Sequence, residues 1–350
     1  MRRWGGRSRF KNAVTEGRRA SHRLQGGVVV LVMVLAAHWP IFCPVTICSA
    51  GSPMSNYEAM IQPSHNTDGT LTAVVVRPAH GGGPAHWISL LLPADVAQGH
   101  PAEEAGRFFL ARCGAQSPQE RQENWHFYLR RPLTVAGHRP APQELAPARG
   151  EDQPTEWRLL LPPLDDPGAR WLAGLPPGAP VNLLGPFGQG FTLPPQRRNL
   201  LLLAEAPFVP LLLPLMDAML DRGGRVTLLL PGEAAMESAL AAQLPLAVEV
   251  RTGEPWAALP GAGWETQLSE LLPWADALCG IIPAPHRQTL AEAIRRHRFR
   301  LEPGYAQVWV EADLVCGVGA CLACAVEVSG GGVTRACVHG PVFDLVRLCT

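Results

Sequence analysis

The chain has 350 residues, with 30 basic and 30 acidic side chains and therefore a formal net charge of zero. That balance excludes a protein that grips nucleic acid through a concentrated basic face. A hydrophobic fraction of 47% excludes a disordered chain, and the length allows two or three domains with a core in each.

Residues 1–25 carry eight basic side chains against the single acid Glu16, and an apolar run follows from Val28 to Ala37. That run is too short to span a bilayer, and His38, Pro40 and Pro44 interrupt its extension to Ala50. Residues 1–53 thus read as a basic and apolar leader. It is a signal-like segment, a membrane anchor over 26–50, or a stretch upstream of a true start at Met54. The expected location is cytoplasmic, with the anchored form as the alternative.

From Thr70 the chain reads as short strands. LTAVVVRPA and HWISLLLPA are separated by the turn HGGGP, and AGRFFLARC, HFYLRRPLTVAG, EWRLLLPPL and APVNLLGPF follow. Turn signals every ten to twenty residues predict an antiparallel β-barrel over 70–194, with a Pro- and Ala-rich loop between Gly137 and Gln153. After Pro195 the pattern changes. RRNLLLLAEA reads as a buried strand, VPLLLPLMDAMLDRGG as a helix, RVTLLLPG and ADALCGIIPA as strands and PHRQTLAEAIRRHRF as a helix. This alternation predicts a parallel-sheet α/β domain over 195–300. Residues 301–350 read as irregular and hold the cysteine cluster.

The cysteines number nine, an odd count crowded at one end, which fits a metal or cluster site better than a secreted disulfide scaffold. Cys316, Cys321, Cys324 and Cys337 have the spacing C-x4-C-x2-C-x12-C, the plant-type pattern for a [2Fe–2S] cluster. A loop around a cluster must turn sharply and offer N–H groups to sulfur, and Gly317, Gly319, Ala320 and Ala323 permit that approach. A structural zinc site is the alternative, though zinc usually takes two paired knuckles. Cys113, Cys279 and Cys349 fall outside the spacing and read as incidental thiols.

The tail YAQVWVEADLVCGVGACLACAVEVSGGGVTRACVHGPVFDL resembles the cluster domain of dihydroorotate dehydrogenase electron-transfer subunits, and the resemblance extends over about residues 70–347. It implies a ferredoxin-reductase-like flavoprotein: an FAD-binding barrel, a nucleotide-binding α/β domain and a C-terminal [2Fe–2S] domain. On that resemblance Arg131, Pro132, Leu133 and Thr134 form the flavin motif, the guanidinium clamping the pyrophosphate and the hydroxyl meeting the isoalloxazine. Strand alternation puts Arg131 and Leu133 on one face and Thr134 on the other, so a bulge is expected to bring them to one ligand. Gly168, Ala169 and Arg170 stand where the family has a Gly-Thr phosphate contact. Gly185, Gly188 and Gly190, in GPFGQGF, match its glycine-rich turn.

One loop departs from the family. The form GGGxGxxPL is replaced by Leu203-Ala204-Glu205-Ala206-Pro207-Phe208-Val209-Pro210-Leu211. The glycines that let the backbone approach a pyrophosphate are gone, Pro207 lacks an N–H, and Glu205 brings a negative charge. These changes count against NAD(P) binding. Cys279-Gly280 resembles a Cys-Gly near the nicotinamide in this superfamily, or is a core thiol. The resemblance implies an electron-transfer subunit whose partner is an FMN-containing dihydroorotate dehydrogenase catalytic subunit, in pyrimidine biosynthesis. The alternatives are a subunit serving another dehydrogenase, with a different redox partner, and a degenerate non-enzymatic assembly subunit.

Overall fold

The computed structural model describes residues 61–349 apart from 83–84, 115–116, 125–126, 143–144, 146–152 and 233–237. The expected leader over 1–53 and the alternative start at Met54 lie outside the described residues. Among the described residues no helix is long and apolar enough to cross a membrane.

The first seven strands are β1 (Ser64–His65), β2 (Leu71–Gly82), β3 (Ala85–Leu92), β4 (Phe108–Ala111), β5 (Arg131–Pro140), β6 (Thr155–Leu161) and β7 (Pro180–Phe187). Their order is β1-β2-β3-β6-β5-β4-β7, and β2 also pairs with β7, so β2 to β7 close an antiparallel barrel. Closure removes the sheet edges that would otherwise offer unpaired backbone. Period-two alternation divides the side chains. Ile88, Leu90, Leu133, Val135, Trp157 and Leu159 fill the interior, while Trp87, Ala136 and Leu160 join a second core with the following domain. The strand expected from His126 begins only at Arg131. Its partner β4 is four residues long and pairs with Arg131 to Thr134, so the preceding residues have no ladder to join.

The second sheet holds β8 (Asn199–Leu203), β9 (Arg225–Pro231), β10 (Val248–Gly253), β11 (Ala277–Ile281) and β12 (Ala306–Trp309). A small hairpin, β13 (Ala325–Val328) with β14 (Gly332–Arg335), precedes β15 (Val342–Asp344). The sheet order is β10-β9-β8-β11-β12-β15, parallel except that β15 runs antiparallel to β12. After Asn199 the run Leu200–Leu203 is unbroken leucine because both faces of β8 are covered: Leu200 and Leu202 meet the barrel side, and Leu201 and Leu203 meet the opposite core. Helix α1 (Pro167–Ala173) packs on the barrel, and α2 (Leu213–Asp221), α3 (Ala262–Trp274) and α4 (Ala284–Arg298) accompany the second sheet.

Two expectations change. Residues 301–350 are not merely irregular, because Ala306–Trp309 and Val342–Asp344 extend the parallel sheet at its edge. The helix expected from Val209 starts as a 3-10 segment over Ala206–Leu212, and α-helix begins only at Leu213. Pro207, Pro210 and Pro214 supply no N–H to an i to i−4 ladder, which delays the helix.

Candidate functional site

At the mouth of the barrel lies a cleft of about 750 Å³. Arg131, Pro132 and Thr134 line one wall, and residues 311–315, which lead directly into Cys316, line the other. Phe208 and Trp309 close one side. The alternation of β5 settles how the RPLT stretch is used. Pro132 and Thr134 face the cleft, whereas Leu133 is wholly buried in the barrel core and does not reach it. The ladder with β4 is regular from Arg131 to Thr134, so no bulge brings Leu133 round. Arg131 reaches the cleft because it is the first residue of the strand, at the barrel rim.

Its guanidinium is held in place. Arg131 Nε donates to Asp166 Oδ1 at 2.8 Å, and Nη1 donates to the Leu129 carbonyl. Asp166 also caps α1 by accepting from the Ala169 N–H at 2.8 Å. Burial alone would push the Asp166 carboxyl up, but the guanidinium and the capping N–H outweigh it and hold the carboxyl below its ordinary range. The stability this gives is present at neutral pH and is lost as pH falls through the lowered value. A Cβ at Gly168 would stand 2.8 Å from Arg131 Nε, so glycine there lets the arginine lie along the first turn of α1. Gly168 and Ala169 are buried beside Arg131, but Arg170 is exposed and donates to the Leu164 and Asp165 carbonyls. Asp166 was not singled out from the sequence. The Asp-Pro-Gly start of α1 is a capping signal, but nothing in it points to a partner 35 positions away.

The glycine-rich turn has a different task from a ligand cradle. A Cβ at Gly188 would meet the Gly340 carbonyl at 2.5 Å, and one at Gly190 would meet the Glu103 carbonyl at 1.9 Å. Gln189 N donates to Gly340 O at 2.5 Å, and Val342 N donates to Gln189 O at 3.4 Å. Gly185, Gly188 and Gly190 line no part of the barrel-mouth cleft. Gly188 lets the turn meet the cysteine segment at Gly340 and Pro341, whereas Gly185 and Gly190 lie against barrel backbone at Phe108 and Glu103. Phe187, in the same turn, packs against Gly317 and lies 5.7 Å from Phe108 between ring centroids.

The four clustered cysteines surround one loop. Gly317, Gly319 and Leu322 have φ of 72°, 75° and 61°, left-handed conformations that curl the chain back on itself. Cys324 and Cys337 are buried with Leu110, Val310, Leu314 and Phe343, Cys316 is half-buried, and Cys321 is exposed. The Gly319 N–H donates to Cys337 Sγ at 3.1 Å and the Cys337 N–H to Cys324 Sγ at 3.5 Å. The N–H of Cys321, with those of Val318 and Ala320, draws the Cys316 thiol down to about 6. Burial, followed by the neighbouring Cys324, pushes Cys337 up to about 12. Among the described residues no three His, Cys, Asp or Glu side chains converge on a point that would hold a single metal ion. Two of the sulfurs accept backbone N–H groups, the kind of contact that tunes a cluster thiolate.

A second crevice, of about 310 Å³, opens at the carboxyl ends of β8, β11 and β12, where the strand order reverses. Glu205, Phe208, Trp256, Arg287, Trp309 and Glu311 are among its lining residues. This is where the family's glycine loop would stand. Cys279 lies in the core of β11 and lines neither crevice, and burial pushes its thiol up to about 12. It is a core thiol. Cys113 is likewise buried and pushed up to about 12 by burial, and Cys349 is buried.

Comparison with known proteins extends this picture. Residues 311–349 match the model of the iron-sulfur cluster binding domain of dihydroorotate dehydrogenase B. The dihydroorotate dehydrogenase B (NAD(+)) electron transfer subunit of Bacillus caldolyticus is 31% identical over 181 residues, which cover 50% of this chain and 68% of the relative. Its counterpart in Shouchella clausii is 28% identical over 232 residues, 64% of this chain and 81% of the relative. Among solved structures, an NADH-dependent reduced ferredoxin-NADP oxidoreductase aligns with a TM-score of 0.54 at 18% identity, over 79% of this chain and 89% of that one.

Proposed function

We infer what this molecule does from a family premise: the chain belongs to the dihydroorotate dehydrogenase B electron transfer subunits. It is an electron-transfer subunit for the dihydroorotate dehydrogenase catalytic subunit in pyrimidine biosynthesis, with an iron–sulfur domain and a ferredoxin-reductase-like flavoprotein fold. We assign the [2Fe–2S] cluster to Cys316, Cys321, Cys324 and Cys337, and FAD to the barrel mouth. A bound flavin exchanges electrons in pairs or singly, and the cluster carries them one at a time. The observation that supports this assignment most strongly is the shared cleft, with Arg131, Pro132 and Thr134 on one wall and the residues leading into Cys316 on the other.

The chain's own residues bind and orient. Arg131, pinned by Asp166, presents fixed positive charge to a diphosphate, and Thr134 offers a hydroxyl within the cleft. Gly317 and Gly319 turn the loop so that its N–H groups face sulfur. Gly188 holds the barrel against the cysteine segment, and Gly185 and Gly190 allow close backbone packing at the barrel end. The barrel over 70–194, the α/β segment over 195–300 and the cysteine segment over 301–350 divide these tasks. The partner carries FMN, and the assembly is cytoplasmic.

Two results test this reading. Arg131→Ala weakens FAD binding about tenfold or more, since a hydrogen bond from a charged donor contributes ~1.5–3 kcal/mol. Flavin retention on gel filtration measures it, and cluster absorbance stays unchanged. Second, the full chain purified without oxygen shows flavin and cluster bands that dithionite bleaches and NADH does not, because Glu205 and Pro207 replace the glycine loop. Bleaching by NADH would show that the crevice still serves NAD(P). A colourless zinc protein would overturn the electron-transfer role in favour of an assembly subunit.

A further inference from the structure

Toward the C-terminal end of β5 a cavity of about 470 Å³ opens between the barrel and α2, and the electron-transfer reading makes no use of it. The local backbone is shaped to form it. The β5–β6 ladder shifts register between Val135 and His138, an irregularity that re-aims the side chains after it. Gly137 lies within that shift at φ of 116°, and a Cβ there would stand 2.5 Å from Pro214 Cγ. Glycine is what lets α2 come this close to the strand.

The two walls carry opposite charges that neither wall neutralises. On α2, Asp217 and Asp221 line the cavity one turn apart. Like charges at that spacing repel, and Asp221 is the last residue of the helix, the end whose dipole disfavours a carboxylate. Partial burial, followed by Asp221, pushes the Asp217 carboxyl up from its ordinary value. Among the described residues no ion pair reaches either aspartate. His100 also lines the cavity, but its Nδ1 already accepts the Ala102 N–H at 3.2 Å.

The barrel wall has the reverse imbalance. Arg139 and Arg77 both pair with the carboxylate of Glu156, at 2.8 and 3.4 Å. Arg158 donates only to the neutral amide of Gln243, at 2.8 Å, and burial, followed by Arg139, draws its guanidinium down from the ordinary value. No ion pair crosses from Arg139 or Arg158 to the aspartates, so the walls stand too far apart to satisfy each other. Charge held at a cost around a concave space marks a binding site. A metal ion does not fit it, because among the described residues no three His, Cys, Asp or Glu side chains converge.

We propose that this cavity binds a free α-amino acid as its zwitterion. The ammonium donates to Asp217 and Asp221, the carboxylate accepts from Arg158, and an apolar side chain lies on Ala136, Leu213 and Pro214. A ligand of one charge would relieve one wall and face repulsion from the other. The volume falls within the roughly 300–1,000 Å³ usual for small-molecule pockets.

Ligand-observed NMR titration of the full chain tests this with three probes of one shape. L-leucine carries both charges, 4-methylpentanoate lacks the ammonium, and 3-methylbutylamine lacks the carboxylate. L-leucine is expected to bind about tenfold or more tighter than either half-match. Asp217→Asn is expected to weaken L-leucine about fivefold or more and to spare 4-methylpentanoate, and Arg158→Gln to weaken L-leucine as much and to spare 3-methylbutylamine. Asp217 is exposed, and its replacement relieves a repulsion, so Asp217→Asn decides the matter should Arg158→Gln fail to fold. L-leucine binding no tighter than the half-matches, or undiminished by Asp217→Asn, overturns the proposal. Binding is read directly, so the test is independent of the electron-transfer reading, whose own failure would show as a colourless protein.

Discussion

Cys337→Ser yields a protein that retains flavin but loses the iron–sulfur absorbance, and electron delivery to the partner falls by more than the roughly 10–100-fold typical of changes in the outer shell of a metal site. Cys337 is 2% exposed and sits in a one-turn helix whose N–H donates to Cys324 Sγ at 3.5 Å, while its own sulfur accepts from Gly319 at 3.1 Å. A serine hydroxyl there is a harder and less acidic donor, in a pocket that already disfavours the ionised thiol. Iron and sulfide analysis with electron paramagnetic resonance of the dithionite-reduced protein checks the outcome. Cys113→Ser is the matching control, because Cys113 lies in the barrel core and its loss leaves the cluster intact. A full cluster in Cys337→Ser would transfer the fourth ligand position to another residue.

The second large effect is on stability. Gly190→Ala places a methyl group 1.9 Å from the Glu103 carbonyl oxygen and 2.8 Å from that of Ala105. Both are backbone atoms, and the Phe191 N–H is bonded to the Ala105 carbonyl at 3.0 Å, so neither side yields without breaking a hydrogen bond. Overpacking typically costs ~1–3 kcal/mol when side chains can adjust, and a backbone clash belongs at or above the top of that range. Gly69→Ala is the comparison. Gly69 has φ of 79° with nothing within 4 Å of a new Cβ, so it incurs only the left-handed penalty of about 1–2 kcal/mol. Denaturant titration of both variants separates steric from conformational cost. Equal losses would show that the turn relaxes.

Much of the architecture was legible because it is written in local periodicity. The two-residue alternation of the barrel strands and the unbroken apolar run of Leu200–Leu203 announce one-sided and two-sided burial respectively. The cysteine spacing was legible for the same reason, since all four positions fall within a short stretch. Features that depend on distant partners were not. Asp166 pairs with Arg131 only once the barrel has closed, and the backbone that Gly188 and Gly190 lie against, at Gly340 and Glu103, is far away in sequence. Leu133 was placed beside the ligand through its motif, although strand alternation directs it inward. The edge strand Val342–Asp344 was missed because three residues carry no period, and its pairing comes from β12, more than thirty positions earlier.

That edge strand changes what kind of object the cysteine loop is. β12 leaves the sheet, the chain forms the loop and the small hairpin, and β15 returns to pair Gln307 with Asp344 and Trp309 with Val342. The loop is thus an insertion between two adjacent strands, clipped a second time by the Gln189–Pro341 bridge. It is not a ferredoxin on a tether. A tethered carrier delivers electrons at a rate set by diffusion of its linker, and so responds to viscosity and linker length. An insertion anchored at both ends has no such search to make. A cluster held there would transfer electrons internally without that search, so the rate of that step would not follow solvent viscosity.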